Sequence, residues 1–325
     1  MKVVIPVAGE GTRLRPHTHT APKVLLHVAG KPILGHILDE IAALKPEEVI
    51  LVVGNMADKI RQYVSKNYDF KASYINQQER KGLGHAVSLA RTHLDPDEPV
   101  LIILGDTIFR APFQDILSAK ESLLGVKEVD DPRRFGVVEV KDGYVSRLEE
   151  KPAWPASNLV IVGIYYLRRP GLLFECLDEI IARGVRVKGE FQLTDALERM
   201  IERGEKMRLF PIDDWFDCGK METMLATNRE LLKRKAPTYA IENSIIIPPV
   251  FIARPENIEH SVIGPYVSIA EGATVKRAIL KDVIVSENAT VEDVALHNSL
   301  IGENAVVKGS YRTLNVGDSS EVDLG

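Results

Sequence analysis

The chain has 325 residues, of which 45% are hydrophobic, and this length and composition predict a globular protein with about two domains. Its net charge of -5 at pH 7 excludes the polycationic surface typical of nucleic-acid-binding proteins, so any phosphate site must be local. Two cysteines are too few for a disulfide framework, and no apolar run approaches the ~20 residues of a membrane helix. We therefore expect a cytoplasmic protein with no nucleic-acid or membrane partner.

From residue 1 to about 235, short β-branched runs alternate with helical periodicity, which indicates an α/β fold with a Rossmann-like, mostly parallel sheet. KVVIPVA, EVILVVG and PVLIILG are predicted strands of that sheet. An amphipathic helix that can cover the sheet is predicted in PILGHILDEIAAL, because four apolar side chains share one face: Ile33, Ile37, Ile41 and Leu44. A second helix is predicted in GHAVSLARTHL.

A mixed β insertion follows LGDTIF. FGVVEV, DGYVSRLEE and VIVGIYYL are predicted strands, with a turn at Asp142 and Gly143. Two more helices are predicted in TDALERMIERG and KMETMLATNRELLKRK. The second ends in the basic cluster Lys233, Arg234 and Lys235, which suits a helix C-terminus.

Beyond Pro237 the pattern changes to a six-residue aliphatic period. It is carried by Ile263, Ile269, Val275, Val285, Val291, Ile301 and Val307. The tetrads NSII at 243, HSVI at 260, DVIV at 282 and NSLI at 298 return at intervals of 17, 22 and 16 residues. This hexapeptide repeat predicts a short left-handed parallel β-helix over residues 238–325, after a first domain over residues 1–237. A β-sandwich of short strands is the alternative, but it has no reason to keep a six-residue step.

The stretch GEGTRLRPHTHTAPK at residues 9–23 directly follows the first predicted strand. A loop in this place lies at the carboxyl edge of a parallel sheet, where α/β proteins bind ligands. Gly9 and Gly11 let backbone N–H groups approach oxyanions, and Arg13 and Lys23 can add charge-assisted hydrogen bonds. The chemistry suits a polyphosphate, although the stretch is neither a Walker loop nor a G-x-G-x-x-G fingerprint.

The same stretch resembles the signature of the sugar nucleotidyltransferases, G-x-G-T-R-L-x-P-x-T followed by P-K. All nine fixed positions are filled, by Gly9, Gly11, Thr12, Arg13, Leu14, Pro16, Thr18, Pro22 and Lys23. The resemblance continues through QQERKGLGHA, LGDTIF, FGVVEV, EEKP, SNLVIVGIYYL, GEFQLTD and WFDCG, and so covers about residues 1–235. It implies that the loop wraps a nucleoside triphosphate, with Arg13 and Lys23 holding its phosphates.

The resemblance also implies a magnesium site. Asp106 follows the strand VLIILG, and Asp217 in WFDCG is the second aspartate of the family pattern. Carboxylate oxygens suit Mg²⁺, which also binds substrate phosphates. The histidines show no spacing of a known metal site, and Cys218 beside Asp217 is interpreted as a packing residue.

Substrate recognition is implied at two further places. The resemblance puts Gln77 and Gly82 against the pyrimidine base, with Gln78 as the neighbouring alternative to Gln77. The resemblance assigns binding of the sugar phosphate to four residues: Glu150 for sugar hydroxyls, Lys151 for the phosphate, Gly136 for close backbone approach and Tyr165 as a lining or core residue. Val162 stands where mannose-specific relatives carry Asn, which disfavours mannose 1-phosphate.

The function implied is transfer of a nucleotidyl group from dTTP or UTP to glucose 1-phosphate, with Mg²⁺ and without a strong general base, because the attacking phosphate is already anionic. The alternatives are another sugar 1-phosphate, N-acetylglucosamine or mannose, or a non-catalytic regulatory subunit of the same fold. An additional acetyltransferase activity is disfavoured, since only about 85 residues follow Pro237. The β-helix is interpreted as a homo-oligomerisation module.

Overall fold

The computed structural model describes residues 1–212, 214–234 and 237–310, which form two compact units. The first comprises Met1–Leu26 and Lys31–Met224, and the second comprises His27–Gly30 and the described residues from Leu225 onward. The units thus part inside the last helix, earlier than the boundary at residue 237 expected from the sequence. Among the described residues, no helix combines the length and the apolar character needed to cross a bilayer.

Strands and helices succeed one another along the chain up to residue 234. The strands are β1 (Lys2–Pro6), β2 (His27–Val28), β3 (Lys31–Pro32), β4 (Glu48–Val53), β5 (Ala72–Asn76), β6 (Val100–Ile103), β7 (Thr107–Phe109), β8 (Ser122–Glu128), β9 (Gly136–Lys141), β10 (Tyr144–Glu150), β11 (Leu159–Leu167), β12 (Met207–Pro211) and β13 (Trp215–Asp217). The α-helices are α1 (Ile33–Ala42), α2 (Ala57–Asn67), α3 (Leu83–Ser88), α4 (Phe113–Leu117), α5 (Pro170–Ala182), α6 (Leu193–Glu202) and α7 (Met221–Arg234). Short 3-10 helices occur at Thr12–Leu14, His17–His19, Lys23–Leu25, Leu89–His93 and Pro132–Arg134.

The main sheet of the first unit has the order β10-β9-β11-β6-β1-β4-β5, and β8 and β12 extend it beside β11. Strands β6, β1, β4 and β5 are parallel, whereas β11 runs antiparallel to β6, β8 and β9. This confirms the α/β fold with a mixed insertion. The carboxyl ends of the four parallel strands lie along one edge, which is the edge where such sheets bind ligands.

The sheet forms the core because its central strands are apolar on both faces. All six residues of β4 are buried, as are all four of β6. Strands covered on both sides by helices read as continuous apolar runs rather than alternating ones. The apolar runs VILVV of β4 and VLII of β6 are therefore the sequence signature of the centre of this sheet.

Three local expectations can be compared with the structure. The turn at Asp142 and Gly143 is confirmed, since both have positive φ, 52° and 81°, between the paired strands β9 and β10. Helix α1 ends at Ala42, so Leu44 lies beyond it, in a turn in which its N–H donates to the Ile41 carbonyl. The single helix expected in GHAVSLARTHL is instead α3 followed by the 3-10 helix Leu89–His93. In the basic cluster at the end of α7, Lys235 lies outside the described residues.

The second unit is built from short parallel strands. They are β14 (Ile245–Ile246), β15 (Val250–Ile252), β16 (Ile258–Glu259), β17 (Val262–Ile263), β18 (Val267–Ile269), β19 (Thr274–Lys276), β20 (Ile279–Val285), β21 (Thr290–Glu292), β22 (Ala295–Ile301) and β23 (Val306–Lys308), with a 3-10 helix at Pro255–Asn257. Every registered strand pair among them is parallel, which is the arrangement of a parallel β-helix.

Aliphatic residues stack in three columns inside this coil. The first column is Ile252, Ile269, Val285 and Ile301, and the second is Ile258, Val275, Val291 and Val307. All residues of the predicted six-residue period lie in these two columns except Ile263, which lies in the third. The third column, Ile246, Ile263, Leu280 and Leu296, follows the second after a five-residue step. One coil therefore takes 16 or 17 residues rather than three full hexapeptides.

The corners of the coil explain the irregular interval of 22 residues between tetrads. NSII and HSVI begin at one corner, where Asn243 and His260 have φ of 58° and 47°. DVIV and NSLI begin at the next corner, where Asp282 and Asn298 have φ of 53° and 48°. The tetrads thus mark two corners, and asparagine or aspartate recurs there because these residues tolerate the left-handed region.

Residues 27–30 are held within the second unit by Asn228 of α7. Its Oδ1 accepts hydrogen bonds from the Ala29 N–H at 2.9 Å and the Ser268 hydroxyl at 2.6 Å, and its Nδ2 donates to the Tyr266 carbonyl at 3.0 Å. Gly30 has φ of 93°, and a Cβ there would lie 2.7 Å from the ring of Phe251. The early loop and the β-helix are therefore folded together.

Candidate functional site

A cavity of about 910 Å³ opens at the carboxyl edge of the parallel strands. The loops after β1, β5 and β6 line it, because parallel strands end at the same edge. All the residues expected to bind the nucleotide lie in its wall: Gly9, Gly11, Thr12, Arg13, Lys23, Gln77, Gly82 and Asp106. We call it the first cavity.

Gly11 shapes the loop after β1. Its φ is 63°, and a Cβ there would lie 2.9 Å from both Lys23 Cβ and Thr18 Cγ2. Its carbonyl accepts hydrogen bonds from the Thr18 hydroxyl at 2.9 Å and the Leu14 N–H at 2.8 Å. At Gly9, by contrast, a Cβ would meet no atom within 4 Å. The backbone of the loop is held in place at Gly11, and at Gly9 no protein atom covers it. A phosphate can therefore approach the backbone N–H groups near Gly9.

Lys23 and Asp106, which are far apart in the sequence, meet at the floor of the first cavity. The Lys23 ammonium lies 2.8 Å from Asp106 Oδ2, and the lysine side chain is only 9% exposed, against 43% for the aspartate. A cation and a carboxylate therefore face the cavity together. The more accessible carboxylate keeps oxygen atoms available for a further ligand.

Asp217 approaches Asp106 from a different part of the chain and lines the second cavity, described below. Strand β13 pairs antiparallel with β7, which sets Asp217 opposite Thr107, the neighbour of Asp106. Its Oδ1 accepts a hydrogen bond from the Gly219 N–H at 2.9 Å. Sequence reasoning grouped these two aspartates through the family pattern, and the strand pairing accounts for their proximity.

These two carboxylates fit Mg²⁺. The described residues contain no group of three or more His, Cys, Asp or Glu side chains arranged to hold a metal ion. Magnesium needs no such cage, since it is commonly held by one or two carboxylates together with substrate phosphates and water. Asp106 and Asp217 supply oxygen donors of that kind.

Gln77 is buried in the wall of the first cavity rather than solvated. Its Nε2 donates to the Gly82 carbonyl at 3.2 Å and lies 3.1 Å from His85 Nδ1. Burial, with a smaller effect of the Lys81 charge, lowers the pKa of His85, so the neutral ring can accept this hydrogen bond. Because the amide nitrogen is engaged within the protein, its carbonyl oxygen is the group available to a base. Gln78 also lines the cavity but is exposed.

Gly82 is required by its neighbours. Its φ is 106°, and a Cβ there would lie 2.6 Å from the Phe191 carbonyl oxygen. The segment behind it is bonded on both sides, since Phe191 N–H donates to Lys81 and the Phe191 carbonyl accepts from Gly84. A substitution at Gly82 would displace the wall of the cavity.

A second cavity of about 570 Å³ is lined by β9, β10, β11 and the start of α6. The residues expected for the sugar phosphate all lie in its wall: Gly136, Glu150, Lys151 and Tyr165. Asp217 and Val162 line it too. The residues predicted for the sugar phosphate therefore line the second cavity and not the first, whereas two of the predicted nucleotide-binding residues, Arg13 and Asp106, line both.

Glu150 is the most constrained polar group of the second cavity. Its Oε2 accepts from the Thr194 hydroxyl at 2.6 Å, and its Oε1 lies 2.8 Å from the Lys151 ammonium. A Cβ on Gly136 would lie 3.2 Å from that carboxylate and 3.2 Å from Thr194 Oγ1, so the glycine keeps the cavity floor open. Lys151 itself has φ of 48°, in the left-handed region that non-glycine residues seldom adopt.

Tyr165 is both a core residue and a lining residue. It is 4% exposed and lies in the wall of the second cavity. Burial, reinforced by the charges of Glu150 and Asp106, raises the pKa of its hydroxyl, which therefore stays protonated at neutral pH.

Three residues of the second cavity were missed as individual candidates. Thr194 lies in GEFQLTD, Trp215 in WFDCG and Thr107 in LGDTIF. The resemblance includes these motifs, but the sequence did not indicate a role for these three side chains. The Thr107 hydroxyl and the Trp215 Nε1 are buried and have no hydrogen-bond partner within the described part of the chain. The orientation of these two side chains depends on how β7 pairs with β13, and no local sequence pattern predicts that pairing.

The two cavities share part of their walls, which is formed by Arg13, Leu83, Leu104, Asp106 and Glu190. One guanidinium, from Arg13, and two carboxylates, from Asp106 and Glu190, thus border both spaces. This arrangement can hold two phosphorylated molecules side by side with their reacting groups at a common, charged boundary.

Comparison with known proteins agrees with the family resemblance seen in the sequence. Residues 2–234 match the model of the family described as "Nucleotidyl transferase". Glucose-1-phosphate thymidylyltransferase of Streptomyces griseus is 33% identical over 315 residues, covering 88% of this chain and 87% of that protein. UTP--glucose-1-phosphate uridylyltransferase AglF of Haloferax volcanii is 34% identical over 232 residues, covering 68% and 93%. A solved structure of UDP-glucose pyrophosphorylase complexed with UDP-glucose superposes with a TM-score of 0.64 at 25% identity, over 72% of this chain and 99% of that one.

Proposed function

The chain belongs to the nucleotidyl transferase family, and we propose that it transfers a nucleotidyl group from dTTP, or from UTP, to glucose 1-phosphate. The products are dTDP-glucose or UDP-glucose, and pyrophosphate. The observation that carries this proposal is the pair of adjoining cavities with Arg13 and Asp106 in their common wall. Similarity to a thymidylyltransferase and a uridylyltransferase that both act on glucose 1-phosphate supports the choice of substrates.

The reaction needs positioning and charge neutralisation more than acid–base chemistry. A phosphate oxygen of glucose 1-phosphate attacks the α-phosphorus of the triphosphate in line, and the bond from that phosphorus to the bridging oxygen of pyrophosphate breaks. The attacking oxygen is already anionic, so no strong base is required. Holding both phosphates at a common boundary supplies most of the rate enhancement.

The residues of the two cavities divide this work. In the first cavity, Arg13 and Lys23 hold the triphosphate and stabilise the charge of the departing pyrophosphate. In the second, Lys151 binds the phosphate of the sugar substrate, and the fixed Glu150 carboxylate accepts hydrogen bonds from sugar hydroxyls. Mg²⁺ held by Asp106 and Asp217 would neutralise charge on the phosphates and orient them.

A non-catalytic regulatory subunit is the alternative from another class. Such a protein has no need to retain or assemble catalytic groups. Here all five candidates for catalysis line one or both cavities: Arg13, Lys23, Asp106, Lys151 and Asp217. Their assembly favours an enzyme.

A substrate panel tests the proposal. Pyrophosphate release is measured for dTTP, UTP, GTP, CTP and ATP against the 1-phosphates of glucose, N-acetylglucosamine, galactose and mannose. We expect the highest kcat/KM with dTTP and glucose 1-phosphate, and Val162 in the second cavity makes mannose 1-phosphate a poor substrate. Preference for N-acetylglucosamine 1-phosphate would reassign the sugar, and no release from any pair would indicate the regulatory alternative.

The second unit is proposed to mediate homo-oligomerisation. Ile245, Val262 and Ile279 stand in register on three successive coils, and Ile245 and Ile279 are 61% and 56% exposed. An exposed aliphatic column of this kind is typical of a contact surface. The number of subunits and the cytoplasmic location stay predictions.

A further inference from the structure

An ion-pair cluster at variable positions of the family motifs stands at the first cavity. Glu10, in the loop after β1, forms an ion pair with the guanidinium of Arg80, in the loop between β5 and α3. The other oxygen of the same carboxylate accepts a hydrogen bond from Arg15 Nη2 at 3.3 Å. One carboxylate therefore holds two arginines and ties two loops together.

Glu10 and Arg80 both line the first cavity, and both also line an adjacent cavity of about 240 Å³, whose wall includes Arg15. The first cavity has three cationic side chains in its wall, from Arg13, Lys23 and Arg80. Arg80 thus faces the space into which a polyanionic substrate must enter, yet a protein carboxylate occupies its guanidinium.

The pair is suited to exchange. The side chains of Glu10 and Arg80 are 42% and 32% exposed, and an ion pair in contact with water stabilises a protein little. An arginine fork binds a phosphate with two parallel charge-assisted hydrogen bonds, which is a stronger interaction. If Arg80 turned to a phosphate, Glu10 would still be neutralised by Arg15, so no bare carboxylate would face the substrate.

We propose that Arg80 is a third phosphate-binding cation of the first cavity, and that Glu10 holds it until a nucleoside triphosphate arrives. This inference rests on the proposed function, because it takes the first cavity to be the triphosphate site. The contact falls beside the loop after β1, so Arg80 acts on the phosphates that leave as pyrophosphate. Glu10 competes with the substrate for this guanidinium, and Arg15 retains Glu10 after the exchange.

Two substitutions with opposite expected signs test the proposal. Equilibrium binding of dTTP, UTP and inorganic pyrophosphate is measured by calorimetry on the full chain, alongside steady-state kinetics. Arg80→Gln should weaken binding of all three about tenfold or more, since it removes a charge-assisted interaction. Glu10→Gln should tighten binding severalfold, because it removes the competitor. The KM for glucose 1-phosphate should stay unchanged in both variants.

A purely structural ion pair gives a different pattern. If the Glu10 contact served only to hold the loops, either substitution would break it, and both would weaken binding. Arg91→Gln is the matched control, because Arg91 is a half-exposed arginine paired with Asp178 at 2.7 Å and lines neither cavity. This control should bind the ligands like the unsubstituted chain.

The outcomes separate this inference from the proposed function. If the unsubstituted chain binds and turns over a triphosphate but Arg80→Gln binds it equally well, or Glu10→Gln binds it less well, the Arg80 assignment is wrong and the proposed function stands. If the unsubstituted chain binds no nucleoside triphosphate, both are overturned.

Discussion

Lys151 is proposed to bind the phosphate of the sugar substrate, and in the structure its ammonium is paired with a protein carboxylate. Its ammonium lies 2.8 Å from Glu150 Oε1 while its side chain remains 31% exposed at the second cavity. Its left-handed backbone, with φ of 48°, is secured by a hydrogen bond from its N–H to the Phe135 carbonyl. The position is strained and held by its surroundings, which is common at functional sites.

Lys151→Met should raise the KM for glucose 1-phosphate while sparing binding of dTTP. The methionine keeps the aliphatic stem but removes the charge. Loss of a charge-assisted hydrogen bond costs about 1.5–3 kcal/mol, or roughly ten- to a hundredfold in affinity. Separate titrations of the two substrates measure this. Lys66→Met, on the exposed face of α2, is the control, and a Lys151 variant that loses dTTP affinity instead would move this lysine to the other half of the site.

Asp106→Asn and Asp217→Asn should each reduce kcat by about a hundredfold or more, because each removes a negative oxygen donor where transition-state charge is neutralised. Pyrophosphate release over a Mg²⁺ titration measures the loss, and the dependence on Mg²⁺ should weaken. The unfolding midpoint serves as the control for folding. Near-normal turnover at low Mg²⁺ in either variant would show that its residue is no magnesium ligand.

At the scale of elements, a buried charge links the amino ends of the parallel strands, opposite the site. Glu48, the first residue of β4, has a side chain only 4% exposed. Its carboxylate lies 3.6 Å from the ammonium of Lys2 in β1 and 3.4 Å from that of Lys71, and it accepts a hydrogen bond from Ser73 in β5. Burial raises the pKa of Glu48, but hydrogen bonds from Ser73 and His93 and the Lys71 charge bring it below its ordinary value.

Glu48→Gln should therefore destabilise the fold in a pH-dependent way. A carboxyl whose pKa is lowered in the folded state contributes stability above its unfolded pKa, and this stability is lost as the pH falls through the folded pKa. We expect a cost of about 1–3 kcal/mol at pH 7 that shrinks below about pH 4. Urea unfolding at the two pH values measures it.

The neighbouring Glu47 offers the control. Its side chain is 55% exposed, so Glu47→Gln should change the free energy of unfolding by less than about 1 kcal/mol. A Glu48→Gln variant as stable as the unsubstituted chain at pH 7 would show that the cluster contributes nothing net to stability.

The elements also show what could be read from the sequence. The parallel core was predictable because strands such as β4 carry an unbroken apolar run, Val49 to Val53, and the first cavity because a nine-position signature follows β1. Of the third column of the β-helix only Ile263 was predicted, because a five-residue step interrupts the hexapeptide period. Thr194, Trp215 and Arg80 were missed because long-range pairing, rather than local sequence, places them at the cavities.

For the whole molecule, the division of the chain bears on truncation. Asn228 is fully buried and depends on Tyr266 and Ser268 of the β-helix, and Gly30 lies against Phe251. Removal of the coils would leave these groups without partners. A buried polar group that loses its hydrogen bonds costs about 1–3 kcal/mol.

Deletion of residues 238–325 should therefore lower both the subunit count and the unfolding temperature, while turnover remains measurable because the candidate catalytic residues precede the cut. Light scattering, thermal unfolding and the pyrophosphate assay decide these points. An unchanged subunit count would refute the oligomerisation proposal. Complete loss of turnover in a folded monomer would show that the second unit contributes to the site.

The wall that the two cavities share has a kinetic consequence. A nucleotide sugar formed across it would keep the contacts of the nucleotidyl group and of the sugar phosphate, so we expect it to occupy both spaces until it dissociates as one molecule. We therefore expect the product to inhibit competitively against the triphosphate and against the sugar phosphate alike. If pyrophosphate dissociates first, the enzyme remains loaded with product, and we expect release of the nucleotide sugar to limit turnover.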